Sequence, residues 1–248
     1  MTKVFFVGAG PGDPELITVK GKRIVGEAAY IIYTGSLVNE AVLMYKNQDA
    51  KVYNSASMDR LEIEAIIRRA IEAGQKVVRL HTGDPSLYGA IQEQIEWLEE
   101  EGIGFEVVPG VSSFSAAAAA LKREYTLPGV SQTLVITRLQ GRTAGASREL
   151  IGRLASKDTS LCFFLSVHML EDVVSALREN LPGNTPAAVV FKASWPQQEI
   201  IRGSLDDIAS LVREAEITKT ALILVGGFLT GKGEKSKLYD PDFSHGYR

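Results

Sequence analysis

The sequence is poor in the residues from which disulfides and metal sites are built. Cys162 is the only cysteine among 248 residues, so no intramolecular disulfide can form. Its place within an apolar strand pattern favours a small core residue. The three histidines are scattered and none lies at a ligand spacing from Cys162, so we expect no metal site. These absences favour a protein of the reducing cytoplasm.

Long apolar runs and runs of one charge are missing as well. The formal net charge is -3, and no cluster of lysine and arginine indicates a nucleic-acid surface. No apolar stretch is long enough to span a bilayer, and the apolar residues 4–7 are too few for a secretory signal. We therefore expect a globular protein of one large or two medium domains, with neither a nucleic acid nor a membrane as partner.

The most informative stretch that is present is a first predicted strand and the turn after it. Four branched or aromatic apolar residues, 4–7, favour a buried strand. Residues 8–14, with the sequence GAGPGDP, then end it in a stiff turn, and a helix is predicted to follow. In an open α/β sheet, ligands bind at the carboxyl ends of the strands, so this turn is a candidate binding loop.

Two nucleotide-binding motifs match this turn badly. The dinucleotide motif GxGxxG is met at Gly8 and Gly10, but Asp13 stands at its third position and no acid follows the next strand after Tyr33. The phosphate-binding motif requires Lys-Ser or Lys-Thr, which is absent here, and a near match at residues 226–233 precedes no helix-like segment. A purely structural turn therefore stays open as the alternative.

Two further predicted strands run into turns of the same kind. Residues 81–89, HTGDPSLYG, follow a strand at 76–80, and residues 109–113, PGVSS, follow a strand at 105–108. The N–H groups and hydroxyls of the second segment could receive a carboxylate at a helix start, although its serines serve equally well as plain N-caps. Such turns indicate binding through the backbone more than acid–base catalysis by side chains.

Strand and helix patterns alternate along the chain, which predicts the α/β class. A break at Pro128-Gly129 places the domain boundary between two α/β domains, 1–122 and 130–248. A predicted hairpin that includes residues 199–201 indicates a mixed second sheet, and a polar tail begins near residue 231.

The three glycine turns resemble, in this order, the motifs of the tetrapyrrole methyltransferases. Segments 132–133, 164–166 and 192–196 extend the resemblance over essentially the whole chain. Within the family, segments 33–38, 81–85 and 138–143 and, more weakly, the tail from residue 238 resemble most closely the precorrin-4 and cobalt-precorrin-4 C11-methyltransferases of cobalamin biosynthesis. The resemblance implies an S-adenosylmethionine-dependent C-methyltransferase, usually a homodimer, whose cofactor sits in the cleft between the two domains.

The resemblance also assigns residues to the site. Asp84, the only acid of its turn, is also expected from its position between Gly83 and Pro85 to orient the cofactor directly or through its loop. Ser113 departs from relatives that often have alanine. The cofactor residues it implies are Pro11, Gly83, Asp84, Leu87, Ser112, Ser113, Leu165, Ala193 and Ala221. Because the implied substrate carries several carboxylates, three cations that follow strand ends are its candidate ligands: Arg138, Arg142 and Lys192. No catalytic base is identified.

Other functions stay open at this point. The chain could methylate another position of a related tetrapyrrole, or act as a non-catalytic nucleotide-binding regulator on the same fold. A nicotinamide oxidoreductase is disfavoured because no acid follows Tyr33. Whether the substrate carries cobalt is not encoded in any motif.

Overall fold

The structure is a computed structural model and describes residues 3–141, 143–235, 243–244 and 246. The chain divides into two compact units. Unit 1 comprises the residues up to Ala116 together with Ala193–Pro196, and unit 2 comprises Ala117–Lys192 and the residues from Gln197 onward. A domain boundary between residues 122 and 130 stays a prediction.

Unit 1 is built on five parallel strands. They are β1 (Val4–Gly8), β2 (Tyr30–Tyr33), β3 (Lys51–Asn54), β4 (Val77–His81) and β5 (Phe105–Val108), in the order β3-β2-β4-β1-β5. The helices are α1 (Val19–Glu27), α2 (Arg60–Glu72), α3 (Gln92–Glu100) and α4 (Ser113–Leu121), the last of which runs across the boundary between the units. This order places β1 between β4 and β5, so the carboxyl ends of these three strands lie side by side.

Both faces of the sheet in unit 1 are covered. Because side chains alternate along a strand, Phe5 and Val7 of β1 join one apolar cluster and Val4 and Phe6 join another. The continuous apolar sequence of β1 is therefore that of a central parallel strand with a core on each face.

Unit 2 holds a second five-stranded sheet. Its strands are β6 (Thr133–Thr137), β7 (Thr159–Phe163), β8 (Pro186–Phe191), β9 (Glu199–Ser204) and β10 (Ala221–Val225), in the order β6-β7-β10-β8-β9. The helices are α5 (Arg148–Leu154), α6 (Leu170–Leu177) and α7 (Ile208–Glu214). β6 and β7 are parallel and the other pairs are antiparallel, which confirms the predicted mixed sheet.

Within the described part of the chain, no helix has the length and apolarity that crossing a bilayer requires.

Candidate functional site

Three loops of unit 1 meet where β4, β1 and β5 end. Gly10 and Gly83 form an antiparallel bridge: the Gly83 N–H donates to the Gly10 carbonyl over 2.8 Å, and the Gly10 N–H donates back over 3.3 Å. A Cβ built at Gly110 would lie 2.1 Å from the Gly83 carbonyl oxygen and 2.7 Å from the Gly8 Cα. A side chain at position 110 is therefore excluded, and the backbones of the three loops approach each other closely at this point.

Asp84 holds the second loop against the third. Its Oδ2 accepts the Gly110 N–H over 2.9 Å, and its Oδ1 accepts the Ser86 N–H over 2.8 Å and the Ser86 hydroxyl over 2.5 Å. Burial works to raise the pKa of Asp84, but these hydrogen bonds together outweigh burial and hold the pKa below its ordinary value. The carboxylate therefore acts on the loops themselves, and a direct contact with a ligand stays a prediction.

Most of the predicted cofactor residues belong to unit 1. The segment Ala193–Pro196 is part of this unit although it lies between β8 and β9 in the sequence. The predicted residues in unit 1 are Pro11, Gly83, Asp84, Leu87, Ser112, Ser113 and Ala193. Their roles toward a cofactor stay predictions.

The other predicted site residues lie in unit 2 or outside the description. Leu165 follows β7, Ala221 begins β10, and Lys192 directly follows β8. Arg138 follows β6, and its guanidinium contacts the Thr143 hydroxyl. Arg142 lies outside the described residues.

A cavity of about 480 Å³ opens in unit 2 beside the loop that follows β6. Its lining combines apolar and charged side chains: Leu139, Gln140, Ser147, Arg148, Glu149, Met169 and Asp172. The cation of Arg148 is paired with Asp172 over 3.2 Å.

Left-handed backbone marks several of these loops, a signal that the sequence analysis missed. Tyr88 in the second loop has φ 57°, Leu165 has φ 49°, and Lys192 has φ 45°. Non-glycine residues in this region cost roughly 1–3 kcal/mol each and concentrate at functional sites. The sequence does not predict this conformation at these positions, because glycine and asparagine are the residues that usually adopt it.

A buried polar network connects the sheet to the chain just after the second loop, and the sequence analysis did not predict it. The Arg79 side chain is 3% exposed and donates from Nε to Gln94 Oε1 over 3.0 Å and from Nη1 to the Ile32 carbonyl over 3.3 Å. Gln94 in turn donates to the Ala90 carbonyl over 3.4 Å. Burial lowers the pKa of Arg79 to about 10, so the group stays charged at neutral pH. Polar residues at alternate positions of a buried strand are the sequence signal that could have revealed it.

His81 ends β4 in the same buried layer and is 2% exposed. Burial lowers the pKa of His81 to about 3, and the charge of Arg79 adds to this, while a hydrogen bond with the Gly89 backbone opposes it. The imidazole is therefore neutral at pH 7.

We expect His81 to make the fold acid-sensitive. The unfolded imidazole titrates near pH 6.5 and the folded one near 3. Between these values the unfolded chain binds the extra proton, so stability falls as the pH drops from about 6.5 toward 3. The free energy of unfolding, measured with urea, should therefore fall less between about pH 7 and pH 4 in His81→Gln than in the unaltered protein, by up to several kcal/mol. The exposed His168→Gln is the control, and equal slopes in both variants would contradict the assignment.

The fold and the loops together define a class of protein. It is the α/β class in which glycine-rich loops lie at the carboxyl ends of a parallel sheet, the place where open α/β sheets bind ligands. Residues 3–209 match the family of the tetrapyrrole (corrin/porphyrin) methylases. The chain belongs to this family.

Named relatives are similar over nearly the whole chain. The cobalt-precorrin-4 C(11)-methyltransferase of Methanocaldococcus jannaschii is 53% identical, over 99% of this chain and 96% of that protein. The precorrin-4 C(11)-methyltransferase of Pseudomonas aeruginosa is 46% identical, over 99% of this chain and 98% of that protein.

Solved structures agree in fold. The X-ray structure of a cobalamin biosynthetic enzyme, cobalt precorrin-4 methyltransferase, has a TM-score of 0.88 at 39% identity, covering 92% of this chain and 96% of that one. The uroporphyrin-III C-methyltransferase of Thermus thermophilus, complexed with S-adenosyl homocysteine, has a TM-score of 0.77 at 28% identity, covering 92% and 98%.

Proposed function

We propose that the chain transfers a methyl group from S-adenosylmethionine to C11 of cobalt-precorrin-4 or precorrin-4 in cobalamin biosynthesis. The observation that carries the proposal is the meeting of three glycine loops at β4, β1 and β5, in a chain 53% identical to an enzyme named for this reaction. One relative is named for the cobalt form and another for the metal-free form, so both substrates belong in the test.

The loops offer the donors that S-adenosylmethionine requires. Its amino-acid end presents a carboxylate, and the third loop leads into α4 with the hydroxyls of Ser112 and Ser113 close to the helix start. Pro11, Gly83 and Leu87 of the other two loops are proposed to line the cofactor. When bound, the cofactor supplies a methyl group that its sulfonium has already activated. The assignment of Leu165, Ala193 and Ala221 to the adenosine stays part of the proposal.

The task left to the protein is positioning. The two acids of these loops are occupied, because Asp13 accepts the Glu15 N–H over 2.9 Å and Asp84 accepts the Gly110 N–H. His81 is buried and neutral. Methyl transfer would form the bond between a tetrapyrrole carbon and the methyl group as the methyl–sulfur bond breaks and S-adenosylhomocysteine leaves. An electron-rich carbon needs no strong base for this attack, so a site that orients the two partners and excludes water would be sufficient.

The substrate carboxylates are proposed to bind to the cations that follow strand ends in unit 2. Arg138 and Lys192 supply charge from described loops, and Arg142 belongs to the same proposal on sequence grounds. A protein whose net charge is -3 needs local cations to hold a polycarboxylate.

We further propose a cytoplasmic homodimer. The resemblance supports the dimer, and the single cysteine, which is buried, supports a reducing compartment. Sedimentation that finds only monomer at micromolar concentration would contradict the dimer.

Calorimetry with S-adenosylhomocysteine tests the proposed cofactor. We expect a saturable binding isotherm that neither NAD nor ATP displaces. The dinucleotide motif is incomplete at Asp13 and after Tyr33, and the phosphate-binding motif lacks its Lys-Ser or Lys-Thr. Binding of NAD with no response to S-adenosylhomocysteine would overturn the proposal. Binding of S-adenosylhomocysteine without methyl transfer to either tetrapyrrole would favour the regulator.

A further inference from the structure

The first glycine loop is held by side chains that come from far away in the sequence. The Trp195 Nε1–H donates to the Pro11 carbonyl over 2.8 Å. The Asp13 N–H donates to the Ser194 hydroxyl over 3.0 Å, and Asn39 Nδ2 donates to the Gly12 carbonyl over 2.8 Å. Backbone groups of three consecutive loop residues are therefore each satisfied by a side chain and not by secondary structure.

The indole also shapes the loop by contact. A Cβ built at Gly12 would lie 1.9 Å from Trp195 Cδ1 and 2.2 Å from its Nε1, so the ring rests directly on the glycine. Ser194 beside it has φ 69°, a left-handed conformation that costs roughly 1–3 kcal/mol and requires support from its surroundings. The glycine at position 12 is thus explained by the tryptophan and needs no ligand.

We propose that Trp195 is a positioning residue for the methyl donor. It fixes the loop that bridges to the second loop through Gly10, so that the backbone surface of the site is formed before the donor arrives. A preformed loop spares the ordering cost that binding would otherwise carry. Where the loop samples other conformations, apparent affinity falls in proportion to the competent fraction. This inference rests on the proposed function.

The chain supplies its own control, because it has two tryptophans, both in unit 1. Trp97 is 6% exposed on α3, and its buried Nε1 has no hydrogen-bond partner among the described residues. Trp97→Phe and Trp195→Phe make the same chemical change, but only the second removes a hydrogen bond to the loop.

We expect Trp195→Phe to raise the calorimetric Kd for S-adenosylhomocysteine about tenfold, the effect of roughly one lost hydrogen bond, and Trp97→Phe to change it less than about twofold. In turnover, Trp195→Phe should raise the KM for S-adenosylmethionine, while kcat at saturating donor stays within about threefold because the loop is ordered once the donor is bound. If Trp195→Phe only damaged the fold, kcat and the folded fraction would both fall.

The outcomes separate this inference from the proposed function. If the unaltered protein binds no S-adenosylhomocysteine, the proposed function fails. If it binds and Trp195→Phe binds equally well, the positioning role fails. Should Trp195→Phe not fold, Ser194→Ala carries the test, because it removes the acceptor of the Asp13 N–H with a smaller change; an unaltered Kd in that variant also overturns the inference.

Discussion

Gly110→Ala is expected to raise the Kd for S-adenosylhomocysteine by up to about a hundredfold. The new Cβ would lie 2.1 Å from the Gly83 carbonyl oxygen and 2.7 Å from the Gly8 Cα. Both neighbours are backbone atoms, one in the second loop and one at the end of β1, and cannot rotate away, so the third loop must move away from them. Overpacking of this kind costs about 1–3 kcal/mol, and about 2.7 kcal/mol corresponds to a hundredfold change in affinity.

Gly102→Ala is the matched control for this variant. Gly102 has φ 64°, yet a Cβ built there meets nothing within 4 Å. Its alanine therefore carries left-handed strain of about 1–2 kcal/mol without a collision. Calorimetry and thermal unfolding of both variants distinguish the effect of backbone strain from the effect of a collision between the loops. Equal Kd values for Gly110→Ala and Gly102→Ala would show that the meeting of the loops is irrelevant to binding.

Asp84→Ala is expected to weaken S-adenosylhomocysteine binding ten- to a hundredfold while the protein stays folded. The change removes the carboxylate that joins the Gly110 N–H to the Ser86 N–H and hydroxyl, and bonds to a charged acceptor contribute about 1.5–3 kcal/mol each. The second and third loops then lose the hydrogen bond between the Gly110 N–H and Asp84, and the ligand must order the geometry of the bound state.

The control for Asp84→Ala is another acid that accepts a backbone N–H. Asp59 caps α2 by accepting the Glu62 N–H over 2.9 Å, outside the three loops. Asp59→Ala should lower stability by about 1 kcal/mol and leave the Kd unchanged. If the two variants lose stability alike and neither loses affinity, Asp84 is a turn residue only.

The hydrogen bonds that Asp84 accepts depend on pH, because they require its carboxylate to be charged. Because the folded pKa of Asp84 is lowered, its contribution to stability is complete above the unfolded value near 3.8 and is lost as the pH falls through the folded value. The acid sensitivity expected from His81 begins at a higher pH, near 6.5, so the two effects occupy different parts of an unfolding curve.

Local sequence patterns were sufficient for much of the fold. The strands expected at residues 4–7, 76–80 and 105–108 are observed at Val4–Gly8, Val77–His81 and Phe105–Val108. Short runs of β-branched and aromatic residues that end at glycine or proline identify buried strands well, because both signals act within a few residues. The glycine turns pointed to the strand ends for the same reason.

Contacts between distant segments could not be read in this way. Trp195 and Pro11 are 184 positions apart, and no periodicity relates them. Asp84 stood out as the single acid of its turn, but its partner Gly110 follows a different strand and is known only once the order β4-β1-β5 is known. The left-handed backbone at Leu165 and Lys192 is imposed by tertiary structure on residues that do not favour it.

The most direct test of the proposed function is to identify the product. The protein is incubated with S-adenosylmethionine carrying a ¹³C-labelled methyl group and with either cobalt-precorrin-4 or precorrin-4, and the products are analysed by mass spectrometry and ¹³C NMR. We expect one labelled methyl group, attached at C11, with at least one of the two substrates, and slower incorporation by Gly110→Ala at a donor concentration near the Kd of the unaltered protein. A labelled methyl at any other ring carbon, or none with either substrate in a protein that binds S-adenosylhomocysteine, would contradict the proposed function.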